Sequence, residues 1–297
     1  MKIEKSFMER AVDVIIYLLL IFSAVITLYP FIYVVSMSVS RLDAVMRQQV
    51  WLYPVGFSLR SYGIILENPS LWRSYYNTIW YTGVGTAINL LLTVMGAYPL
   101  SRRTFFARNF FMMFIAITLF ISGGLIPMFI LVNRLGLYNT RWAIVLPAAI
   151  GTMNIVLMRV YFQTSIPDEL TDAARIDGCN DIGILLKVVL PLSTPIIAVI
   201  TLFVAVGFWN SYFTALLYLP NAKLQPVTIL LQKILISNES NMLSDPSYTF
   251  EDKSTLFSYG AQLKYTIVVI TILPIVCIYP FLQKYFVKGI MLGALKG

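Results

Sequence analysis

The chain has 297 residues, 58% of them hydrophobic and 12% charged, with a mean hydropathy of +0.77. A soluble domain carries about twice that share of charge, so the composition excludes an ordinary soluble globule and indicates an all-α integral membrane protein, read as one domain over 1–297. The net charge of +8 is spread through the loops between apolar runs. Anionic lipid headgroups and membrane topology account for such a distribution, and nucleic acid is not an expected partner. Histidine is absent, and the two cysteines, Cys179 in a polar setting and Cys277 in an apolar run, form no metal spacing. Neither an enzyme nor a metal or cofactor site on this chain is expected.

A membrane-crossing helix needs about 20 apolar residues. Six runs qualify: Val12–Val39, Tyr75–Leu100, Phe110–Val132, Trp142–Met158 extending to Arg159, Ser193–Leu219 and Tyr265–Leu282. The first is too long for a signal-peptide core and reads as a retained span. Apart from Asp13, no window contains Asp, Glu, Lys or Arg. Pro30, Pro99, Pro127, Pro147 and Pro274 interrupt the runs, and each frees a carbonyl that neighbours must satisfy.

With an even number of spans both termini share one side. The dense Arg102, Arg103 and Arg108 cluster in a short loop marks that side as cytoplasmic. The same side then holds the 160–192 loop. The long loops 40–74 and 220–264 are external. The first carries Trp51, Tyr53, Pro54, Tyr62 and Trp72; the second carries Asn238-Glu239-Ser240-Asn241, Asp245-Pro246 and Ser254. Loops of this length are either spacers or docking surfaces.

The most informative segment is Ser165 to Pro195. Ser165 is placed to cap a helix, with Pro167 in its first turn and Asp168 at the capping-box position. Asp168 and Glu169 complement the positive end of the helix dipole. Leu170, Ala173, Ala174 and Asp177 fall on one face, where paired alanines admit a close backbone approach. Gly178 ends this helix. A second one starts at Asn180 or Asp181, with an apolar stripe of Ile182, Leu185, Leu186 and Val189, and ends at Pro191. A helix-turn-helix can read DNA, but this one is acidic and tethered to spans on both sides. An amphipathic helix lying on headgroups carries a basic face, whereas this one presents Asp168, Glu169, Asp172 and Asp177 against Arg175. The chemistry favours a protein partner.

On these residues a family resemblance rests. Glu169-Leu170-Thr171-Asp172-Ala173-Ala174-Arg175-Ile176-Asp177-Gly178-Cys179, followed by Leu190-Pro191 and Pro195, resembles the EAA loop of bacterial ABC import permeases. More narrowly it is similar to the MalG-like carbohydrate permeases and their LplC/YtcP-like group. Tyr29-Pro30, Tyr75-Tyr76-Asn77-Thr78, Phe208-Trp209-Asn210 and the ending Tyr285 to Gly297 fit that group as well. Asp172 stands where the family usually has Glu, Cys179 where Ala is common, and Leu185 where an aromatic is frequent.

The resemblance implies a type I importer (MetI-like) fold with six transmembrane helices and a cytoplasmic coupling helix-turn-helix, in a bacterial cytoplasmic membrane. It implies sugar or oligosaccharide import by alternating access. The implied partners are a homologous second permease completing a heterodimer, two cytoplasmic ATP-binding cassette subunits holding ATP and Mg, an extracytoplasmic solute-binding protein at the 220–264 loop, and membrane lipids. It assigns ATPase coupling to Glu169, Asp172, Ala173, Ala174, Asp177 and Gly178, and a place between the ATPases to the tail from Lys288 to Gly297. One independent point agrees: the chain has no Gly-x4-Gly-Lys-Ser/Thr phosphate loop.

A sugar path needs amides, hydroxyls and rings. Asn77, Asn89, Tyr98, Asn154, Trp209, Asn210 and Tyr212 supply them within the runs. For each, an interhelical hydrogen bond or an interfacial anchor is the competing role. The alternative function is an ion-coupled secondary carrier for a small polar solute. Such carriers place ionisable residues near the midplane, and these runs have none there. A channel would need a selectivity filter, which the sequence does not display.

Overall fold

The computed structural model describes residues 7–236, 259–278 and 280. Among them every regular element is a helix. The Asn238–Asn241, Asp245-Pro246 and Ser254 features and the Tyr285–Gly297 tail lie outside the described residues. The chain expected as one permease domain packs as two compact units, Met1–Pro69 with Leu231–Leu273, and Ser70–Leu230 with Pro274–Gly297.

In the first unit, α1 (Phe7–Ser38) runs through Pro30. The most apolar window of its Ala11–Ser38 stretch has no residue buried against the described chain. After it come α2 (Leu42–Met46) and α3 (Arg60–Leu66). Met37, Ala44, Val45 and Val50 form a small core against Tyr33 and Tyr265. Gln262, near the start of the helix Tyr259–Ile278, donates its amide to the carbonyls of Ser38 (3.2 Å) and Ser40 (2.6 Å). That helix begins six residues before the expected run. The 40–74 loop, read as irregular, thus contains α2, α3 and the start of the next helix.

In the second unit, α4 (Pro69–Ser101) is unbroken through Pro99. The three runs that follow are each interrupted. The run Phe110–Val132 is α5 (Arg108–Phe120) and α6 (Leu125–Arg134), which bend by 112°. The bend falls at Gly123-Gly124, where Gly124 has φ +79°, a conformation that glycine adopts without steric cost. The run Trp142–Met158 is α7 (Trp142–Val145) and α8 (Thr152–Ser165), parted at Pro147. Ser193–Leu219 is α11 (Thr194–Trp209) and α12 (Tyr212–Tyr218), parted at Asn210-Ser211. Between them lie α9 (Asp168–Ile176) and α10 (Asp181–Leu192), and after them α13 (Val227–Ile236) inside the expected 220–264 loop. Three described helices are long and apolar enough to cross a membrane, or five if each bent pair counts as one.

Two of the cores in this unit lie along α4. One gathers Val94, Ala97, Tyr98, Ile155, Met158, Phe162, Ile184, Val189 and Ile200. The other gathers Tyr81, Ile144, Val145, Phe208, Ala215, Leu219 and Ile229. Gly85 on α4 lets the Phe208 ring lie against its backbone: a Cβ there would meet ring atoms at 2.5–2.7 Å. Gly85→Val forces the ring or α4 to move, and overpacking of this kind costs about 1–3 kcal/mol. A lowered thermal midpoint in detergent, read beside the parent, is the expected outcome.

Candidate functional site

The N-terminal half of α4 acts as a staple. Asn77 is fully buried and its Nδ2 donates to the carbonyls of Lys223 (2.9 Å) and Gln225 (3.2 Å). Its Oδ1 accepts from Arg141 Nη2 at 3.2 Å. Tyr81 donates to the Leu224 carbonyl at 2.7 Å, and Thr78 Oγ1 accepts the Val227 N–H at 2.8 Å. The Arg141 guanidinium lies 5.2 Å from the Tyr76 ring centroid and 5.3 Å from that of Trp80. Asn77 therefore spends its amide on main-chain groups of the 221–226 segment, a single 3-10 turn (Ala222–Leu224) with extended flanks.

Further along, α4 borders a cavity of about 620 Å³. This is the size range of small-molecule sites. Asn89, Asn154, Asn210, Ser211 and Thr214 contribute its polar groups, with Phe203, Phe208, Phe213 and Tyr218 as rings, and no charged residue lines it. Asn89 Nδ2 donates to the Ala148 carbonyl at 2.9 Å, in the gap between α7 and α8. Its Oδ1 receives Thr93 Oγ1 (3.3 Å) and Asn154 Nδ2 (3.4 Å). The hydroxyl of Ser211 is buried without a hydrogen-bond partner. Amides, hydroxyls and aromatic faces in one cavity suit the hydroxyl-bearing faces of a sugar: donors and acceptors for hydroxyl groups, rings for apolar faces.

Of the seven expected path residues, Asn89, Asn154 and Asn210 meet in this cavity. Trp209 is buried beside Tyr75, ring centroids 6.3 Å apart, and Tyr212 packs into the Tyr81–Phe208 core. Tyr98 lies about 30 Å along α4 from Asn77 and donates to the Asp181 carbonyl. Composition alone does not separate these roles. Ser211, Thr214, Phe203 and Phe213 escaped the sequence reading. The adjacent polar pair Asn210-Ser211 inside an apolar run is the signal that marks the break they surround.

The polar segment forms two helices joined by a tight turn. Ser165 is the last residue of α8 rather than a cap, and Pro167 occupies the N-cap of α9 with no side-chain capping bond. A proline at that point fixes the extended entry by its ring, so the serine is not needed. The exit is as expected. Gly178 has φ +80°, its N–H bonds the Arg175 carbonyl (3.0 Å), and the Cys179 N–H bonds that of Ala174 (2.9 Å). This is the paired closure that favours glycine. Asn180 Oδ1 then caps α10 by accepting the Gly183 N–H at 2.7 Å.

The helix faces differ from the expected ones. Thr171 and Ala174 point inward, whereas Leu170, Ala173 and Asp177 are exposed and Ile176 is 87% exposed. The exposed ridge is thus Leu170, Ala173 and Ile176, and the two alanines part company. On α10 the buried positions are Ile184 and Val189, while Ile182 and Leu186 face out. A π-helical turn over Leu185–Val189 rotates that stripe. It also lets the helix continue past Pro191 to Leu192, since widening the turn relieves the clash of the proline ring with a preceding carbonyl. Arg175 pairs with Asp181 (3.3 Å) and Asp172 (3.9 Å), and Arg103 with Asp168 (3.7 Å). Glu169 and Asp177 have no ion-pair partner among the described residues.

Residues 89–292, which contain both the cavity and the helical elbow, match the family model described as "Binding-protein-dependent transport system inner membrane component". The chain belongs to that family. It is therefore a multi-pass permease subunit of an ABC importer, a transport component and not an enzyme, and its family works with a solute-binding protein and an ATPase. The ion-coupled carrier is not supported. The permease is 40% identical to the polygalacturonan/rhamnogalacturonan transport system permease protein YtcP of Bacillus subtilis, over 97% of this chain and 99% of that protein. It is 38% identical to Protein LplC of the same organism, over 92% and 90%. A crystal structure of a bacterial ABC transporter involved in the import of the acidic polysaccharide alginate matches with a TM-score of 0.87 and 37% identity, covering 96% of this chain and all of that one. The type I permease fold follows.

Stability and transport separate at two asparagines. Asn77→Leu strands two carbonyls and is expected to lower unfolding free energy by about 1–3 kcal/mol. Asn210→Ala, at an exposed helix break, leaves the thermal midpoint of the permease where it was.

Proposed function

We propose that this permease forms one half of a heterodimer that imports an oligosaccharide across the cytoplasmic membrane of a bacterium by alternating access. Six crossings serve this single permease domain: α1, α4, the bent α5–α6, the interrupted α7–α8, α11 with α12, and the helix Tyr259–Ile278. Both termini and the elbow lie in the cytoplasm, with the 40–74 and 220–264 segments outside. Two ATPase subunits hold ATP and Mg and grip the elbow at Glu169, Asp172, Ala173, Asp177 and Gly178, while Ala174 supports the ridge from within. A sister permease completes the pore, and a solute-binding protein delivers the sugar.

The observation that carries this reading is the neutral cavity of amides, hydroxyls and rings beside a unit whose acidic residues are all gathered in one exposed elbow. Between residues 70 and 230 every Asp and Glu lies within 168–181. An exposed apolar ridge flanked by the carboxylates of Glu169 and Asp177, unpaired among the described residues, is a surface for a protein, not for anionic lipid. The relatives named for polygalacturonan/rhamnogalacturonan and for alginate support an acidic oligosaccharide. So does the set Arg73, Arg134, Arg141 and Lys223, none of which pairs with a carboxylate among the described residues.

Cells producing the complete transporter should accumulate labelled trigalacturonate, and an excess of unlabelled compound should compete. Asn210→Ala should lower that uptake several-fold, about the effect of one lost hydrogen bond to solute. Ala173→Trp or Gly178→Val should abolish uptake while the protein still inserts, because the first blocks the ridge and the second strains a left-handed backbone position with open space around it. Unchanged uptake in both variants removes the elbow from the coupling role.

A further inference from the structure

Tyr98, expected along a solute path, belongs to a different device. The inner end of α4 is tied to its neighbours through main-chain carbonyls. Arg159 Nε donates to the Leu100 carbonyl at 3.0 Å and Gln163 Nε2 to that of Ser101 at 3.3 Å, both from α8. The Arg103–Asp168 pair is exposed and 3.7 Å long, so solvent weakens it. The bond from α4 into α10 is different. The buried Tyr98 side chain donates its hydroxyl to the carbonyl of Asp181, the first residue of that helix, at 3.0 Å.

The ring that carries this hydroxyl is clamped. The Arg102 guanidinium lies 4.6 Å from its centroid. Nε and Nη2 of Arg102 are buried and have no hydrogen-bond partner, while the Asp181 carboxylate is taken by Arg175. A ring face rather than a carboxylate thus holds this cation. From Tyr98, α4 runs without a break to Asn89 of the cavity, nine residues or roughly 14 Å away. Its buried residues Val94 and Ala97 keep it packed in the core it shares with Ile184 and Val189 of α10.

We propose that Tyr98 is a positioning residue that transmits movement of the elbow to α4 and so to the cavity, with Arg102 clamping its ring. This rests on the reading of the elbow as the ATPase-coupling segment. The hydroxyl makes α10 and α4 move as one. Without it, the elbow can shift while α4 stays behind.

The test uses the complete transporter, purified with its ATPase and placed in nanodiscs. The permease carries Cys179→Ser and Cys277→Ser and a reporter, Thr214→Cys, in the cavity wall. The rate at which a water-soluble thiol reagent labels this chain is measured with and without ATP plus vanadate, beside ATP hydrolysis. In this reporter parent, ATP changes the labelling rate. Tyr98→Phe, which keeps the ring, should hydrolyse ATP within about twofold of the parent while the ATP-driven change shrinks about fivefold, the effect of one hydrogen bond. Arg102→Gln should show the same split in weaker form. A Tyr98→Phe transporter that responds to ATP as the parent does overturns the proposal. So does one that loses hydrolysis and response together, which is the mark of a merely structural role. The coupling reading fails separately: Ala173→Trp that keeps full hydrolysis and response, or a parent that does not respond to ATP, removes it whatever Tyr98 does.

Discussion

Where helices break or begin, main-chain carbonyls are left without helical partners, and α4 supplies donors to several of them. A buried carbonyl or amide left without its partner costs about 1–3 kcal/mol. Asn77 answers the carbonyls of 223 and 225, Tyr81 that of 224, Asn89 that of 148 and Tyr98 that of 181. These acceptors lie where the chain is irregular or where a helix begins. One unbroken helix thus satisfies the breaks around it, and residues at two of those breaks, Pro147-Ala148 and Asn210-Ser211, line the polar cavity. The same helix links that cavity to the elbow, so architecture and mechanism share one element.

The cavity is neutral because its polar groups are amides and hydroxyls, already half engaged with each other. Asn89 Oδ1 is shared by Thr93 and Asn154, which fixes the amide orientation and leaves Asn154 and Asn210 to face the lumen. Such a lining binds hydroxyl groups by many modest bonds. That allows a solute to be held and released without the deep well that a buried charge creates.

Much of the elbow was legible in the sequence, because its boundaries depend on single residues with strong local preferences. Gly178 ends one helix by its backbone and Asn180 starts the next by its side chain, and both act within a few residues. The continuous α4 was equally plain. The breaks were not, since a hydropathy window sums polarity without sensing direction: Gly123-Gly124 and Asn210-Ser211 barely change the average yet turn the chain. The inward face of α9 was misplaced because Ala173 and Ala174 are chemically alike and only tertiary packing chooses between them. Tyr98 and Asn77 illustrate a similar ambiguity, since each donates to a main-chain carbonyl. An asparagine or tyrosine in a span serves a carbonyl of its own chain as readily as a sugar.

The donors on α4 also set an order of events during synthesis. Asn77 and its carbonyl partner at Lys223 are 146 residues apart. At common elongation rates that interval lasts about 7–30 s. Through that interval the amide waits in or beside the bilayer for a strand of polypeptide not yet made, satisfied only by water or by temporary neighbours. The latches on this end of the helix are therefore timed by the ribosome rather than by the helix itself.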